Sequence, residues 1–185
     1  NYNSYTADRA LQEGVNRESG SDDDAPLKTF GQWAGSAEAI ALGVEANRYS
    51  PQLATHDRQG HRVDLIEFHP AYHQLMQTAI EHGLHASPWR KPQPGAHVNR
   101  AARYFLQAQV EAGHGCPITM TFAALPALRH QPSLLVEWGD KVTAAHYDPR
   151  NVPYYEKQGL TLGMAMTEKQ GGSDVCLNTT RAYPI

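Results

Sequence analysis

Leu160-Thr161-Leu162-Gly163-Met164-Ala165-Met166-Thr167-Glu168-Lys169-Gln170-Gly171-Gly172-Ser173-Asp174-Val175 is the stretch in which the chain changes character. Leu160, Leu162, Met164 and Met166 alternate with Thr161, Gly163 and Ala165, the two-residue repeat of a strand, and 175–182 reads as a second strand after a glycine turn. Everything upstream keeps a different period. Helices first and strands last, without βαβ alternation, predict an all-α domain followed by the start of a separate β domain. Two strands with no third strand and no covering helix are marginal and leave open edges. The sequence is therefore expected to continue past Ile185 into a longer protein.

Moving back from that point, 147–157 with Pro149 and Pro153 reads as loop, and 133–145 as a weaker helix. A helix over 118–128 is apolar nearly all round, which predicts burial, with Pro117 in its first turn where no N–H donor is needed. Val98, Ala101, Ala102, Phe105, Ala108, Gln109 and Ala112 predict a further helix that ends at Gly113 and Gly115, with Gln109 the polar member of its face. Phe68, Tyr72, Leu75, Met76, Ala79 and Ile80 predict another, stopped by Gly83. Phe30, Trp33, Ala34, Ala37, Ile40, Ala41 and Val44 lie on one face of a single helix, with the acidic run Asp22-Asp23-Asp24 at its start. Residues 1–26 read as a polar arm with one short helix over 6–18. The expected organisation is an arm (1–26), a helical domain (27–158) and the first strands of a β domain (159–185).

The 185 residues are 41% hydrophobic and 19% charged, enough for one core. The formal charge of -3 lacks the cationic excess that a phosphate backbone rewards, so this segment is a poor DNA binder by itself. No run approaches the roughly 18–20 apolar residues that span a bilayer. Cys116 and Cys176, far apart and outside any CxxC, read as free thiols in a reducing compartment, so the cytoplasm is the expected location. Burial is the favoured reading for Cys116.

The chemistry-bearing segment is again 163–175. A strand fixes Met166 and Thr167, Gly171-Gly172 lets the backbone approach a ligand, and Ser173 with nearby N–H groups can donate to phosphate oxygens. On residues alone an ordinary Gly-Gly-Ser turn is the simpler account, since this is neither GxGxxG nor a P-loop. Met-Thr-Glu followed by Gly-Gly-Ser-Asp after an alternating strand, however, resembles the flavin-binding segment of acyl-CoA dehydrogenases, and the longer form 166–175 is similar to their adaptive-response, or alkylation-response, branch. The runs 68–73, 102–105, 109–113 and 116–124 resemble the same branch, so the likeness spreads over 8–182.

That resemblance implies the N-terminal helical domain of the acyl-CoA dehydrogenase fold and the start of its β domain. It implies FAD as cofactor, held by Met164, Ala165, Met166, Thr167, Glu168, Lys169, Gln170, Gly171, Gly172 and Ser173, with 166–167 at the pyrimidine edge and Ser173 near the pyrophosphate. It implies α-proton abstraction and β-hydride transfer from an acyl-CoA-like thioester in the longer protein, which is expected to be a homo-oligomer. The family's general base is a glutamate expected beyond residue 185, so Glu168 is given a turn or surface role and the segment alone is expected to be inactive. An alternative, also from the branch, is a flavin-containing protein that binds and protects DNA through a basic C-terminal region. No metal site is expected: His69, His73, His82 and His85 have no carboxylate or cysteine at companion spacing. Thr119 and Thr121 are balanced between facing a ligand cavity and bonding back to their helix.

Overall fold

A computed structural model describes residues 1–20 and 23–183; Ser21, Asp22, Pro184 and Ile185, which fall in the expected arm, acidic run and final strand segment, lie outside the described residues. The chain is mainly helical. The elements are α1 (Arg9–Ser19), α2 (Ala25–Ala34), α3 (Ala37–Arg48), β1 (Gln52–His56), β2 (Arg62–Glu67), α4 (Pro70–Glu81), α5 (Ser87–Arg90), α6 (Ala96–Ala108), α7 (Gly115–Leu128) and α8 (Pro132–Val142). Among the described residues no helix is long and apolar enough to cross a membrane.

The helices exist where the apolar spacing placed them, but several faces and ends differ. The single helix expected from Phe30 to Val44 is two. Ser36 accepts from the Ala39 N–H and restarts the chain as α3, a local cap that overrides the continuous period. With the restart the buried face rotates: Ala39 and Gly43 point inward, while Ile40 and Val44 are exposed. Gly43 is required there, because a Cβ would overlap the Val110 carbonyl oxygen. Asp24 stands at the start of α2 without a side-chain cap bond and instead pairs with Lys28 at 2.8 Å.

α6 also presents another face than expected. Ala102, Leu106 and Gln107 are buried, whereas Phe105 and Gln109 are exposed and the helix stops at Ala108. α7 is only half covered. Ile118, Thr121, Ala124 and Leu125 face in, while Cys116, Thr119, Ala123 and Ala127 form an exposed stripe of small side chains, so the burial expected for Cys116 does not occur. α4 behaves as read: Pro70 sits in its first turn, His69 accepts from the Ala71 N–H, and Gly83 follows at φ 69°.

Residues 1–20 do not hang as an arm. Tyr5 is fully buried, Ser4 N–H donates to the Gly31 carbonyl at 3.0 Å, and Val15 of α1 joins Leu27, Phe30, Ile80, Leu84, Leu106 and Ile118 in the main core. A second cluster, Ala86, Leu125 and Val142, lies between α7 and α8 and receives Leu160 and Leu162.

A β-hairpin that periodicity did not reveal joins α3 to α4. β1 and β2 are antiparallel, with Leu53 opposite Ile66 and Ala54 opposite Leu65. Its turn is drawn together by Asp57, whose carboxylate accepts from the Gln59 and His61 N–H groups, both at 2.8 Å. Conversely, the strands expected over 160–166 and 175–182 form no ladder: no strand is assigned there, and 175–177 is a 3-10 turn. The reason lies in where the backbone donors go. Leu160 N–H reaches the Lys141 carbonyl at 3.0 Å and Leu162 N–H reaches Thr121 Oγ1 at 3.0 Å, so the segment is tied to the helices rather than to a neighbouring strand.

Candidate functional site

The route into the expected cofactor loop is pinned at three places. Arg150 grips the buried Asp148 through Nε at 2.9 Å and Nη2 at 2.6 Å, and Gln158 N–H adds a third bond at 3.0 Å, which together hold this carboxyl well below its ordinary range. Leu160 then docks on α8. Thr121, fully buried in α7, donates to the Pro117 carbonyl at 2.7 Å and accepts from Leu162 at 3.0 Å. Of the two readings open for Thr121, it takes the bond back to its helix and adds a clamp on the loop; Thr119 bonds instead to the Tyr104 hydroxyl. Thr121→Val keeps the shape and removes both bonds, leaving the Leu162 N–H unsatisfied. The expected cost is about 1–3 kcal/mol, with faster amide exchange at Leu162; unchanged exchange there would refute the clamp.

Beyond the clamp the chain forms a compact loop. Glu168 and Gly171 exchange N–H···O=C bonds of 3.0 and 3.2 Å around the two-residue turn Lys169-Gln170. The Glu168 carboxylate accepts from the Thr179 N–H at 2.9 Å and the Thr180 N–H at 2.8 Å, and also from Gln170. These donors hold its pKa down to about 2, so Glu168 is a fixed anion that closes the loop. Asn178 bonds to the Met166 carbonyl and lies so close to Gly171 that no Cβ fits between them. Nothing in the sequence pointed to Asn178, because its partners lie seven and twelve residues away across a turn.

Of the ten candidate residues, Gly171 is buried and Glu168 half-buried; Met164, Ala165, Met166, Thr167, Lys169, Gln170, Gly172 and Ser173 are exposed. Met166 is 64% exposed and Met164 41%. The loop thus presents two thioethers, two hydroxyls and Gly172 on an open surface next to the helical layer.

The histidines singled out in the sequence go to separate places. His69 caps α4 and stacks on Tyr49 at 4.7 Å; His73 Nδ1 meets the Tyr147 hydroxyl at 2.8 Å; His82 lies edge-on to Phe30; His85 Nε2 meets the Ala144 carbonyl at 3.0 Å. Among the described residues no group of three or more His, Cys, Asp or Glu is placed to hold a metal.

A buried polar network escaped the sequence reading. Glu111 accepts from the Gly113 N–H at 2.6 Å, the His114 N–H at 2.9 Å and His114 Nδ1 at 2.7 Å. His114 Nε2 lies 2.6 Å from Gln107 Nε2, which also donates to the Leu75 carbonyl. These contacts fit one arrangement: a neutral His114 that donates from Nδ1 and accepts at Nε2. Burial pushes His114 below its usual value; it pushes Glu111 up, but the His114 and Gly113 donors outweigh that and leave the carboxyl lowered. The E-A-G-H spacing was its only trace in the sequence.

The fold and the helix-tethered loop define an N-terminal helical segment of the acyl-CoA dehydrogenase kind. Structural likeness agrees. Caenorhabditis elegans ACDH-11, solved in complex with C11-CoA, aligns over 95% of this chain and 30% of its own with a TM-score of 0.77 at 26% identity. The apo form of Bd2924 aligns over 95% and 34% with a TM-score of 0.79 at 25% identity. The family model of the adaptive response protein AidB N-terminal domain matches residues 1–149, and the chain belongs to that family. It is 48% identical over 184 residues to the AidB protein of Escherichia coli (strain K12), covering 98% of this chain and 34% of that protein. Acyl-CoA dehydrogenase family member 11 of C. elegans is 29% identical over 153 residues, covering 82% and 24%. The chain thus spans about a third or less of the length of these relatives.

Proposed function

We propose that residues 1–162 form the helical wall, and 163–180 the first flavin-contacting loop, of an FAD-dependent acyl-CoA dehydrogenase-like oxidoreductase of the alkylation-response branch. The observation that carries the reading is the loop's tether: Leu160 on α8 and Leu162 on Thr121 of α7 deliver the Met-Thr-Glu…Gly-Gly-Ser segment to the edge of the helical layer with its thioethers and hydroxyls uncovered. The residues present suit a flavin nucleotide. Met164 and Met166 offer polarizable apolar contact for a planar ring, and Thr167, Ser173 and the loop's N–H groups offer donors. Gly171 is packed against Asn178, whose buried Oδ1 has no partner, so the turn keeps its shape without a side chain at that point.

Bound there, FAD would supply hydride acceptance from the β carbon of an acyl thioester. This chain's part is to hold and polarise. A hydroxyl at the edge of the ring favours negative charge developing there. The group that removes the α proton is expected outside residues 1–185, and Glu168 is occupied by the Thr179 and Thr180 N–H groups. The longer protein is proposed to be cytoplasmic and homo-oligomeric. Any DNA-protecting role would rest on surfaces other than this segment, whose formal charge is -3.

The test compares flavin retention. In the full protein that carries this segment, Thr167→Ala and Ser173→Ala are each expected to weaken FAD about tenfold, the loss of one hydrogen bond to an anionic or developing-charge acceptor. The segment Asn1–Ile185 alone is expected to hold little flavin and to turn over no acyl-CoA. Unchanged flavin affinity in both variants, or stoichiometric flavin on the segment, would overturn the placement.

A further inference from the structure

A second concavity lies at the C-terminal end of α4, the end away from the hairpin, between α4, α5 and the first two turns of α6, and none of residues 163–180 lines it. It encloses about 530 Å³, within the range of small-molecule pockets. Three cations line it, Arg90, Lys91 and Arg103. Among the described residues none of the three takes part in an ion pair. Arg103 is the informative one. Among the described residues its Nε is buried without a hydrogen-bond partner, and Nη1 donates to the His82 carbonyl at 3.3 Å. A largely desolvated guanidinium without a carboxylate is costly unless something anionic completes it.

His85 supplies an independent observation. It lines the same cavity, is 1% exposed, and has no partner at Nδ1. Because Nε2 donates to the Ala144 carbonyl, Nδ1 carries a lone pair and can only accept. Burial and the charges of Arg90 and Arg100 hold its pKa down to about 4, so the ring stays neutral at pH 7. The cavity also meets the first turn of α6, through Ala96 and Asn99, where no side chain caps the helix and its dipole is positive. Asp23 and Glu81 stand on the lining as well, which leaves the cations in excess and disfavours a ligand of more than one anionic group.

We propose that this cavity binds a small organic phosphate ester, its phosphate held by Arg103, Arg90 and Lys91 and an adjacent hydroxyl donating to His85 Nδ1. Inorganic phosphate satisfies the guanidinium but can offer the imidazole only a P–O–H on the same phosphorus, with no separate hydroxyl; a neutral polyol offers the hydroxyl without the charge. The site therefore selects for both features on one molecule. It is independent of the flavin reading, since none of its residues touches 163–180.

Calorimetry at low salt on the full protein carrying this chain, with ribose 5-phosphate, inorganic phosphate and ribose as probes, tests it. Ribose 5-phosphate is expected to bind about tenfold more tightly than inorganic phosphate, and ribose not measurably. Arg103→Gln is expected to weaken ribose 5-phosphate about tenfold or more. So is the double change Arg90→Gln with Lys91→Gln, which alters only exposed side chains and leaves folding intact. His85→Phe is expected to bring ribose 5-phosphate down to the level of inorganic phosphate, and the His85 Nδ1 nitrogen resonance should move on addition of the ester. Flavin content should be the same in all variants. Absence of saturable ester binding, affinity unaffected by the double change, or equal binding of ester and inorganic phosphate would each overturn the assignment.

Discussion

Glu111→Ala is expected to lower the stability of the helical segment by about 1–3 kcal/mol, the cost of leaving buried neutral donors without their acceptor. Four donors converge on this carboxylate: the N–H groups of Gly113 and His114, His114 Nδ1 and, at 3.4 Å, Asn47 Nδ2. Alanine leaves these donors without their acceptor; His114 is 2% exposed, so its two N–H groups have little access to water, whereas Gly113 lies at the surface. The network also sets the connection between α6 and α7, because Glu111 closes the turn that carries the chain from one helix to the next. Glu111→Gln retains one acceptor oxygen and should lose less. Urea unfolding followed by helical circular dichroism at pH 7 gives both values; a loss below about 1 kcal/mol for alanine would show that the turn holds without the carboxylate.

Acid is expected to destabilise the same segment well above the pH at which ordinary carboxylates protonate. His85 has a folded pKa of about 4 against an ordinary 6.5, because burial penalises its charged form. A group with a depressed folded value binds protons more readily in the unfolded chain, so its contribution is complete above pH 6.5 and is lost as the pH falls toward 4. The difference of about 2.5 units corresponds to roughly 3 kcal/mol at about 1.4 kcal/mol per unit. His73, His82 and His114 are lowered by burial and add in the same direction. Glu111 and Asp148, both held below their ordinary values, extend the loss to lower pH. His85→Gln keeps a donor for the Ala144 carbonyl but cannot titrate, and should flatten the pH 7 to pH 4 slope by roughly 3 kcal/mol; an identical slope in wild type and variant would refute the assignment to His85.

The two results bear on function through α4 and α7. The proposed phosphate cavity lies at the C-terminal end of α4, and α7 carries the Thr121 clamp that leads into the proposed flavin loop. A change that loosens the Glu111–His114 turn therefore displaces the start of α7 before it reaches the loop. Loss of flavin in Glu111→Ala should track loss of stability, whereas Thr167→Ala should lose flavin with stability unchanged.

The amino-acid sequence by itself located the longer helices, though not α5 or the break between α2 and α3, because apolar residues at three- and four-residue spacing are a local property, and Pro117 and Gly83 mark a start and a stop with local backbone physics. It also singled out 163–173 as one segment through its glycines and the family likeness, although the alternation before it made no strand and the two-residue turn falls at Lys169-Gln170. Tertiary structure alone decided which face of each helix is used. Gly43 packs against the Val110 carbonyl while Ile40 stays exposed, and Gln107 rather than Gln109 met Leu75 and His114. Only the folded chain brings Leu162 to Thr121, forty-one residues away, or puts Arg103 and His85, each with one buried nitrogen lacking a hydrogen-bond partner among the described residues, on the lining of one cavity. Those pairings depend on the angles at which helices cross, and a crossing angle is set by the packing of many side chains at once, none of which carries it in its own neighbourhood of sequence.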